Sequence, residues 1–366
     1  MTTFTLPKVT TRITQGLLSL TLYFFASNKA TGQKVDFIQE NDSSVTININ
    51  GNYFSTFRSD KSLPKQILYP ILDAKQRRVT RGFPFEAIPG ERADHPHQYG
   101  LWMNFGDVNN IDFWNNGKFP GAAVRKSEHV YGSIEISSPV SLDENKRQLS
   151  YEALWEGPES NLLLEETTLI FGGNDSTREV TRISRLTALR DVEFGDSKEG
   201  FFAIRLRREL ESPSEIKDRY VEDTAGTISE TRKYDDTIPV TGLYINSETD
   251  SGKSVWGKSA KWVTLQGKVD YEPLVITIFD HPDNYGYPAR WMARDYGLFG
   301  VNPFGEKSYG GDHEETKTLK KGASLVFIYK IILSAFSPDK NYIDKLYQDF
   351  STTKNVSDVQ QMHDSK

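Results

Sequence analysis

The chain of 366 residues contains no cysteine. This absence excludes disulfide bonds, thiolate catalysis and attachment to a membrane through a lipid-modified cysteine. Long apolar runs are also absent after the first 26 residues, so no later segment is expected to cross a membrane as a helix. Basic residues do not dominate, because 50 acidic residues outnumber 44 lysines and arginines and give a net charge of -6. Such a chain, which also has no basic stripe, is not expected to bind nucleic acid.

Motifs of several common enzyme classes are missing as well. The chain has no Gly-x-Ser-x-Gly nucleophile elbow, no His-Glu-x-x-His zinc motif and no Gly-x-Gly-x-x-Gly dinucleotide fingerprint. Serine hydrolysis through such an elbow and nicotinamide chemistry are therefore not favoured.

The first 32 residues have the features of an export signal. Two basic residues precede an apolar run at 16–26, and small residues before Gly32 offer a cleavage site after it. We expect removal of 1–32, export to the periplasm or cell exterior, and no stable membrane insertion afterwards. The alternative is a first strand of the fold, because apolar residues from Leu18 to Phe24 alternate with others.

Alternation of apolar and polar residues predicts about a dozen β-strands in the rest of the chain. Leu149 to Trp155 shows this period of two, which is typical of a half-buried strand. We expect an all-β fold, a large antiparallel sandwich or supersandwich, as a single domain over 33–338. Residues 339–366 should form a short helix, from spacings of three and four within Asn341 to Phe350, followed by a disordered tail.

The segment from Asp94 to Trp114 concentrates groups suited to a ligand pocket. It contains two of the six histidines and two of the six tryptophans. Pro96 separates His95 from His97, which predicts a rigid turn that presents two imidazoles. Acid-base or substrate-binding roles, metal ligation and a structural role remain open for these two histidines.

Trp102 and Trp114 flank a polar stretch that has two interpretations. Asp107, Asn109 and Asp112 could bind the hydroxyls of a sugar while an indole covers the apolar face of its ring. Short polar side chains of this kind also stabilise ordinary turns by bonding to their own backbone. The sequence favours neither interpretation.

Three further candidates for proton transfer lie later in the chain. Asp280 and His281 follow the apolar run from Leu274 to Phe279, so we expect them at a strand end, where functional residues are often placed. Glu199 lies among glycines and aromatic residues just before another strand, where desolvation would raise the pKa of its carboxyl.

Candidates for substrate binding follow Asp280 and His281. Trp291 could supply a stacking face, and Arg294 and Asn302 could bind polar groups of a ligand. Arg294 and Asp295 could instead pair with each other, as neighbouring opposite charges often do.

Four ordered motifs resemble a bacterial family labelled PmoA-like, a domain of unknown function. The motifs are HPHQYGLWMNFGDVNNIDFW, FGDSKEGFFAIR, VWGKSAKWV and FDHP.N.....RWMARDYGLFGVNPFG, and the similarity extends from about Tyr69 to Leu333. Members more often have a third histidine where this chain has Gln98, which puts a role for that position in doubt. The resemblance implies a galactose-mutarotase-like fold that binds sugars in a shallow groove with histidine and carboxylate partners. A chain with one short apolar run cannot be the membrane subunit that the label names.

The leading hypothesis is an exported carbohydrate-active protein that binds and transforms a sugar or glycoside by histidine and carboxylate chemistry. The residues expected to converge on one groove are His95, His97, His281, Glu199, Asp280 and Asp107. One alternative is a non-catalytic glycan-binding protein. Another is a metal-dependent oxygenase or hydrolase in which the three histidines bind a divalent ion. We expect no obligatory cofactor, and the oligomeric state and the choice among epimerase, hydrolase and lyase stay open.

Overall fold

The computed structural model describes residues 1–2, 33–116, 129–233 and 238–352. Apart from its first two residues, the predicted export signal lies outside this part of the chain. The predicted disordered tail lies outside it from residue 353 onward.

Strands dominate the described residues, which also contain three 3₁₀ helices and one α-helix, α1 (Lys340–Ser351). The 3₁₀ helices are Arg208–Leu210, Gly252–Val255 and Lys307–Tyr309. The strands are β1 (Val35–Asn41), β2 (Ser44–Ile49), β3 (Asn52–Arg58), β4 (Ile67–Ile71), β5 (Leu101–Phe105), β6 (Ile111–Asp112), β7 (Val130–Tyr131), β8 (Ser133–Ile136), β9 (Ser141–Asp143), β10 (Gln148–Glu156), β11 (Asn161–Gly173), β12 (Thr177–Ala188), β13 (Val192–Phe194), β14 (Gly200–Arg205), β15 (Leu243–Asn246), β16 (Trp262–Val269), β17 (Glu272–Asp280), β18 (Arg290–Ala293), β19 (Leu298–Asn302), β20 (Lys317–Leu319) and β21 (Ser324–Ser334).

Most strands belong to two large antiparallel sheets. The front sheet has the order β1-β2-β3-β4-β5-β14-β19-β18, and the back sheet has the order β15-β16-β17-β21-β12-β11-β10-β8, with β9 also paired to β10. Two small pairs, β13-β20 and β6-β7, complete the strands of the described residues. Neighbours such as β5 and β14 are far apart in sequence, so the front sheet brings distant motifs together.

The two sheets pack face to face through one apolar core. In β10 the apolar residues from Leu149 to Trp155 are buried at alternate positions, as the sequence predicts. Aromatic rings join the sheets across the core, with ring centroids 5.3 Å apart for Phe57 and Tyr151 and 5.3 Å apart for Phe202 and Tyr329. The prediction of an all-β antiparallel sandwich is therefore confirmed.

Helix α1 covers the outer side of the back sheet. Ile343, Tyr347 and Phe350 face that sheet and form a second apolar cluster with residues such as Trp262. Asp339 caps the helix by accepting a hydrogen bond of 2.8 Å from the backbone N–H of Tyr342. The short C-terminal helix expected from the sequence is thus present.

The outer side of the front sheet, called the front face below, carries a third cluster. Trp102 and Ala203 from neighbouring strands pack there with Tyr99 and Trp114 from the connecting segments. Many polar and charged side chains surround this cluster, in contrast to the apolar cluster under α1.

No helix among the described residues is both long enough and apolar enough to span a membrane.

Candidate functional site

Strand β14 forms the floor of the candidate site, because its side chains point alternately to the core and to the front face. Phe202 and Ile204 belong to the core, so Ala203 and Arg205 project from the front face. Ala203 pairs with Trp102 of β5 on one side and with Gly300 of β19 on the other. A Cβ atom on Gly300 would lie 2.8 Å from the Cβ of Ala203, so the centre of this floor accepts only small residues.

A buried charge cluster lies at one end of the floor. Asp94 Oδ1 is 2.5 Å from an Arg81 guanidinium nitrogen and 2.5 Å from an Arg205 guanidinium nitrogen. All three side chains are nearly inaccessible to solvent. Burial alone would raise the pKa of the Asp94 carboxyl, but Arg205 and Arg81 hold it well below its usual range. Asp94 is therefore a fixed anion.

His95 is oriented by this anion. Its Nδ1 lies 2.6 Å from Asp94 Oδ2, and its ring stacks on Tyr296 with centroids 5.0 Å apart and an interplanar angle of 7°. A carboxylate can only accept, so Nδ1 carries a proton and Nε2 is the nitrogen available to a ligand. The imidazole is 42% exposed, which leaves it open to a ligand.

His97 lies beside His95 in a drier environment. The two rings meet edge to face at 5.7 Å, and His97 Nε2 is buried without a hydrogen-bond partner. Burial, together with the charge of Lys65, lowers the pKa of His97 well below its ordinary value. His97 is therefore neutral near pH 7 and cannot act there as a protonated acid.

Lys65 supports the turn that carries both histidines. Its ammonium donates to the backbone carbonyl of His97 at 2.6 Å and lies 4.6 Å and 4.8 Å from the ring centroids of Tyr99 and Trp102. Burial lowers the pKa of Lys65 to about 7, although the carboxylate of Asp112 opposes this shift.

This buried lysine predicts a pH-dependent stability. The native pKa of Lys65 lies below its ordinary value of 10.5, so the unfolded chain binds more protons between pH 7 and 10. The free energy of unfolding should therefore rise with pH in this range, by up to about 1.4 kcal/mol per pH unit relative to a Lys65→Met variant. Urea unfolding at several pH values measures the difference. The exposed control Lys75→Met should follow the wild type, and identical slopes for Lys65→Met and the wild type would contradict the prediction.

Glu199 precedes β14 and so lies at the end of that strand opposite Arg205. Arg294 lies on the Arg205 side, because it bonds to Leu298, which pairs with Arg205. The charges of both residues act on two tyrosines. Burial raises the pKa of Tyr296 to about 12, and the charges of Arg294 and Glu199 act on its hydroxyl in opposite directions. The same two charges act on the hydroxyl of Tyr309, whose pKa burial also raises. The Glu199 carboxylate is partly exposed and 3.3 Å from the ammonium of Lys198. His95 stacks on Tyr296, and the charge of Glu199 acts on the hydroxyl of the same residue. The convergence of His95 and Glu199 on one groove stays a prediction.

The structure does not bring the pair Asp280 and His281 to the front face. Asp280 is fully buried and accepts hydrogen bonds of 2.8 Å from the Asn284 side chain and from the Ala289 backbone. His281 packs edge-on against Phe350 of α1, with centroids 5.2 Å apart, behind the back sheet. The expected convergence of His281 and Asp280 with His95 is wrong, because their strand belongs to the other sheet.

The three-histidine metal site fails for the same reason. Within the described ranges, no three histidine, aspartate or glutamate side chains are grouped as ligands of a metal ion would be. His95 and His97 are neighbours, but His281 lies on the back sheet.

Several other candidates have their polar atoms bonded to the protein backbone. Asp107 accepts from the backbone of Asn110 at 3.0 Å, and Asn109 bonds to the backbone of residues 191 and 193. Asp112 accepts from the backbone N–H groups of Trp114 and Asn115, each at 2.9 Å. The contacts of Asp107 and Asp112 match the turn interpretation of the stretch, whereas Asn109 joins it to the distant residues 191 and 193.

The tryptophan candidates are also enclosed. Trp291 belongs to the central core and donates to the Ala260 carbonyl at 2.9 Å, so it does not reach the front face. Trp102 and Trp114 lie under the front face with ring centroids 5.3 Å apart, and both are fully buried. They form the base of the site and cannot stack directly on a ligand.

Arg294 and Asn302 remain at the front face. Arg294 does not pair with Asp295, which instead accepts a hydrogen bond of 2.7 Å from Ser214. Asn302 donates to the Ser197 carbonyl at 2.9 Å and thereby holds the segment that leads to Glu199.

The charged side chains that support His95 and its turn were not predicted from the sequence. Arg81, Arg205 and Lys65 are distant in sequence from one another, and only Arg205 gave a local signal, because it interrupts an otherwise apolar strand. Tyr296 and Trp256 lie within the family motifs, but nothing in their spacing predicts a place beside His95 or Arg294.

One further sequence pattern has no matching structure. The spacing Gly252…Gly257-Lys258-Ser259 is that of a phosphate-binding loop. In the structure the run forms the 3₁₀ helix Gly252–Val255 and then Trp256, and it does not lead into an α-helix. The helix N-terminus on which such loops bind phosphate is therefore missing here.

Comparison with known proteins identifies the family. The profile of a family of unknown function (DUF6807) matches residues 44–348, so the chain belongs to this family. No curated protein matches the chain. The family description names no activity and does not include the PmoA-like label, which stays a prediction.

Similar solved structures include an α-galactosidase and two proteins related to galactose mutarotase. A GH36 α-galactosidase from Geobacillus stearothermophilus, in complex with raffinose, is 11% identical with a TM-score of 0.35, and the match covers 83% of this chain and 41% of the galactosidase. A galactose mutarotase related enzyme from Lactobacillus acidophilus is 7% identical with a TM-score of 0.31, over 83% and 98% of the two chains. A galactose mutarotase-like protein from Lactobacillus casei is 12% identical with a TM-score of 0.32, over 82% and 99%.

Proposed function

We propose that the protein binds and transforms a carbohydrate at the front face, with His95 as general base and Glu199 as the second proton-transfer group. The observation that carries this proposal is the geometry of His95. A buried carboxylate fixes one nitrogen of its ring, Tyr296 supports one ring face, and the ring is open to solvent. Such an arrangement holds an imidazole in one tautomer and one orientation, as proton transfer to a bound substrate requires.

The surroundings of His95 support a sugar as the substrate. Tyr296, Tyr309 and Trp256 are partly exposed aromatic rings, and Trp256 and Tyr309 have centroids 5.0 Å apart. Aromatic faces next to charged groups suit a ring that has apolar C–H faces and polar hydroxyl edges. In the proposed reaction His95 Nε2 accepts a proton from a hydroxyl of the substrate, and the protonated Glu199 carboxyl donates a proton to the ring or glycosidic oxygen.

A glycan and glycoside screen with product analysis by NMR tests this function. On a substrate found in that screen, His95→Ala should lower turnover about 100- to 10,000-fold, the usual contribution of a positioned base, with substrate affinity largely kept. Glu199→Gln should also lower turnover. The exposed control His313→Ala should retain wild-type turnover.

Two results would contradict the proposal. Unchanged turnover in His95→Ala would remove this residue from the mechanism. Binding of glycans without any turnover by the wild type would establish the non-catalytic glycan-binding alternative. Circular dichroism of each variant separates loss of chemistry from loss of folding.

A further inference from the structure

Arg294 is an unpaired cation at the front face. It directly follows β18, and its guanidinium carbon lies 3.4 Å from the ring centroid of Trp256. Its Nε atom is buried without a hydrogen-bond partner, and the side chain forms no ion pair in the described part of the chain. A guanidinium has five N–H donors, so a half-buried one without an acceptor has a large unused binding capacity.

The other enclosed arginines of the described residues have oxygen partners. Arg81 and Arg205 share Asp94. Arg92 and Arg208 share Glu211. Arg182 pairs with Glu165, and Arg178 donates to backbone carbonyls. Arg294 departs from this pattern, and it does so at the face that carries His95.

The other charges of the front face also favour a negatively charged ligand. Arg81 and Arg205 share a single carboxylate, that of Asp94, as their ion-pair partner. The chain as a whole has a net charge of -6, so this local excess of cations is not a property of its composition. A ligand that brings a negative charge would balance the face.

We infer that the ligand of the front face is an acidic sugar, and that Arg294 binds its carboxylate. This inference rests on the proposed function, because it specifies the sugar class for the same site. The two coplanar oxygens of a carboxylate match the edge of a guanidinium in a bidentate contact. The ring of Trp256 lies against one face of the guanidinium and holds it in place before the ligand arrives. A sulfated sugar offers the same charge but tetrahedral oxygens, so we favour the carboxylate.

Calorimetric binding tests the inference with matched ligands. The probes are galacturonate and glucuronate, their methyl esters, the neutral sugars galactose and glucose, and a sulfated galactose. Wild-type protein should bind the uronates at least about tenfold more tightly than the esters and neutral sugars, which corresponds to one charge-assisted contact. Arg294→Gln should remove this preference. The control Arg185→Gln, at an exposed arginine on β12 of the back sheet, should keep it.

The outcomes separate this inference from the proposed function. Equal binding of uronates and neutral sugars by the wild type would overturn the inference, even if turnover still depends on His95. A preference for the sulfated sugar alone would overturn the carboxylate assignment. A uronate preference that persists in Arg294→Gln would remove Arg294 from recognition. The comparison of uronate with methyl ester uses only wild-type protein, so it decides the charge requirement even if Arg294→Gln fails to fold.

Discussion

Replacing Asp94 with alanine is expected to lower the free energy of unfolding by about 3–5 kcal/mol. Asp94 is the carboxylate shared by Arg81 and Arg205, whose side chains are 1% and 0% exposed. Without it, two buried guanidinium groups lose the carboxylate that pairs with both, and breaking a buried ion pair is among the most costly changes a fold can undergo. Urea unfolding at pH 7 measures the effect.

The exposed Asp349→Ala on α1 is the control and should change stability by less than about 0.5 kcal/mol. Arg81 also donates to backbone carbonyls and Arg205 to the side chain of Gln98. A loss below about 1 kcal/mol in Asp94→Ala would show that these neutral acceptors are sufficient.

The pH dependence of the unfolding free energy of Asp94→Ala provides a second test. The native pKa of Asp94 is lower than its unfolded value, so its contribution is present above the unfolded value and is lost as pH falls through the native one. The difference in unfolding free energy between wild type and Asp94→Ala should therefore shrink in acid.

Removal of the Glu165 side chain should have a comparable effect within the sandwich itself. Glu165 is 1% exposed and accepts hydrogen bonds from Tyr151, Trp155 and Thr167 at 3.1, 2.8 and 2.7 Å. It also pairs with Arg182 at 2.5 Å. In Glu165→Ala the arginine keeps its charge and three neutral donors lose an acceptor, so we expect a loss of about 3–5 kcal/mol in unfolding free energy.

The next residue of β11 provides a closely matched control for Glu165. Glu166 points away from the core, is 48% exposed and lies 3.9 Å from Arg185. Exposed pairs of this kind contribute little, so Glu166→Ala should change stability by less than about 1 kcal/mol. Equal effects of the two alanine variants in chemical denaturation would contradict the assignment of Glu165 as the acceptor of a buried network.

Local patterns made the strands and the helix predictable. The alternation of apolar and polar residues from Leu149 to Trp155 reflects the geometry of one strand. The spacing of apolar residues from Asn341 to Phe350 reflects the geometry of one helix. The pairing of Ala203 with Trp102 joins two strands that are about a hundred residues apart in the chain. A single sequence contains no local signal for such a pairing.

The same distinction explains the result for the site. Histidines and carboxylates identified His95 and Glu199 as candidates, because their chemistry is visible in the residue type. Asp280 has the same chemistry, but its two oxygens are occupied by Asn284 and Ala289 from the loop that follows it. Whether a carboxylate faces a ligand or its own loop depends on the path of the chain, which composition and spacing do not specify.

Helix α1 gives the molecule two unlike sides. It ends at Ser351 on the outside of the back sheet, whereas His95 opens from the outside of the front sheet. The sandwich therefore lies between the end of this helix and the front face. An immobilisation tag, a fluorophore or a fused partner attached just beyond the helix would leave the entrance to His95 turned away from the support, which makes this end the natural handle for surface-based binding measurements.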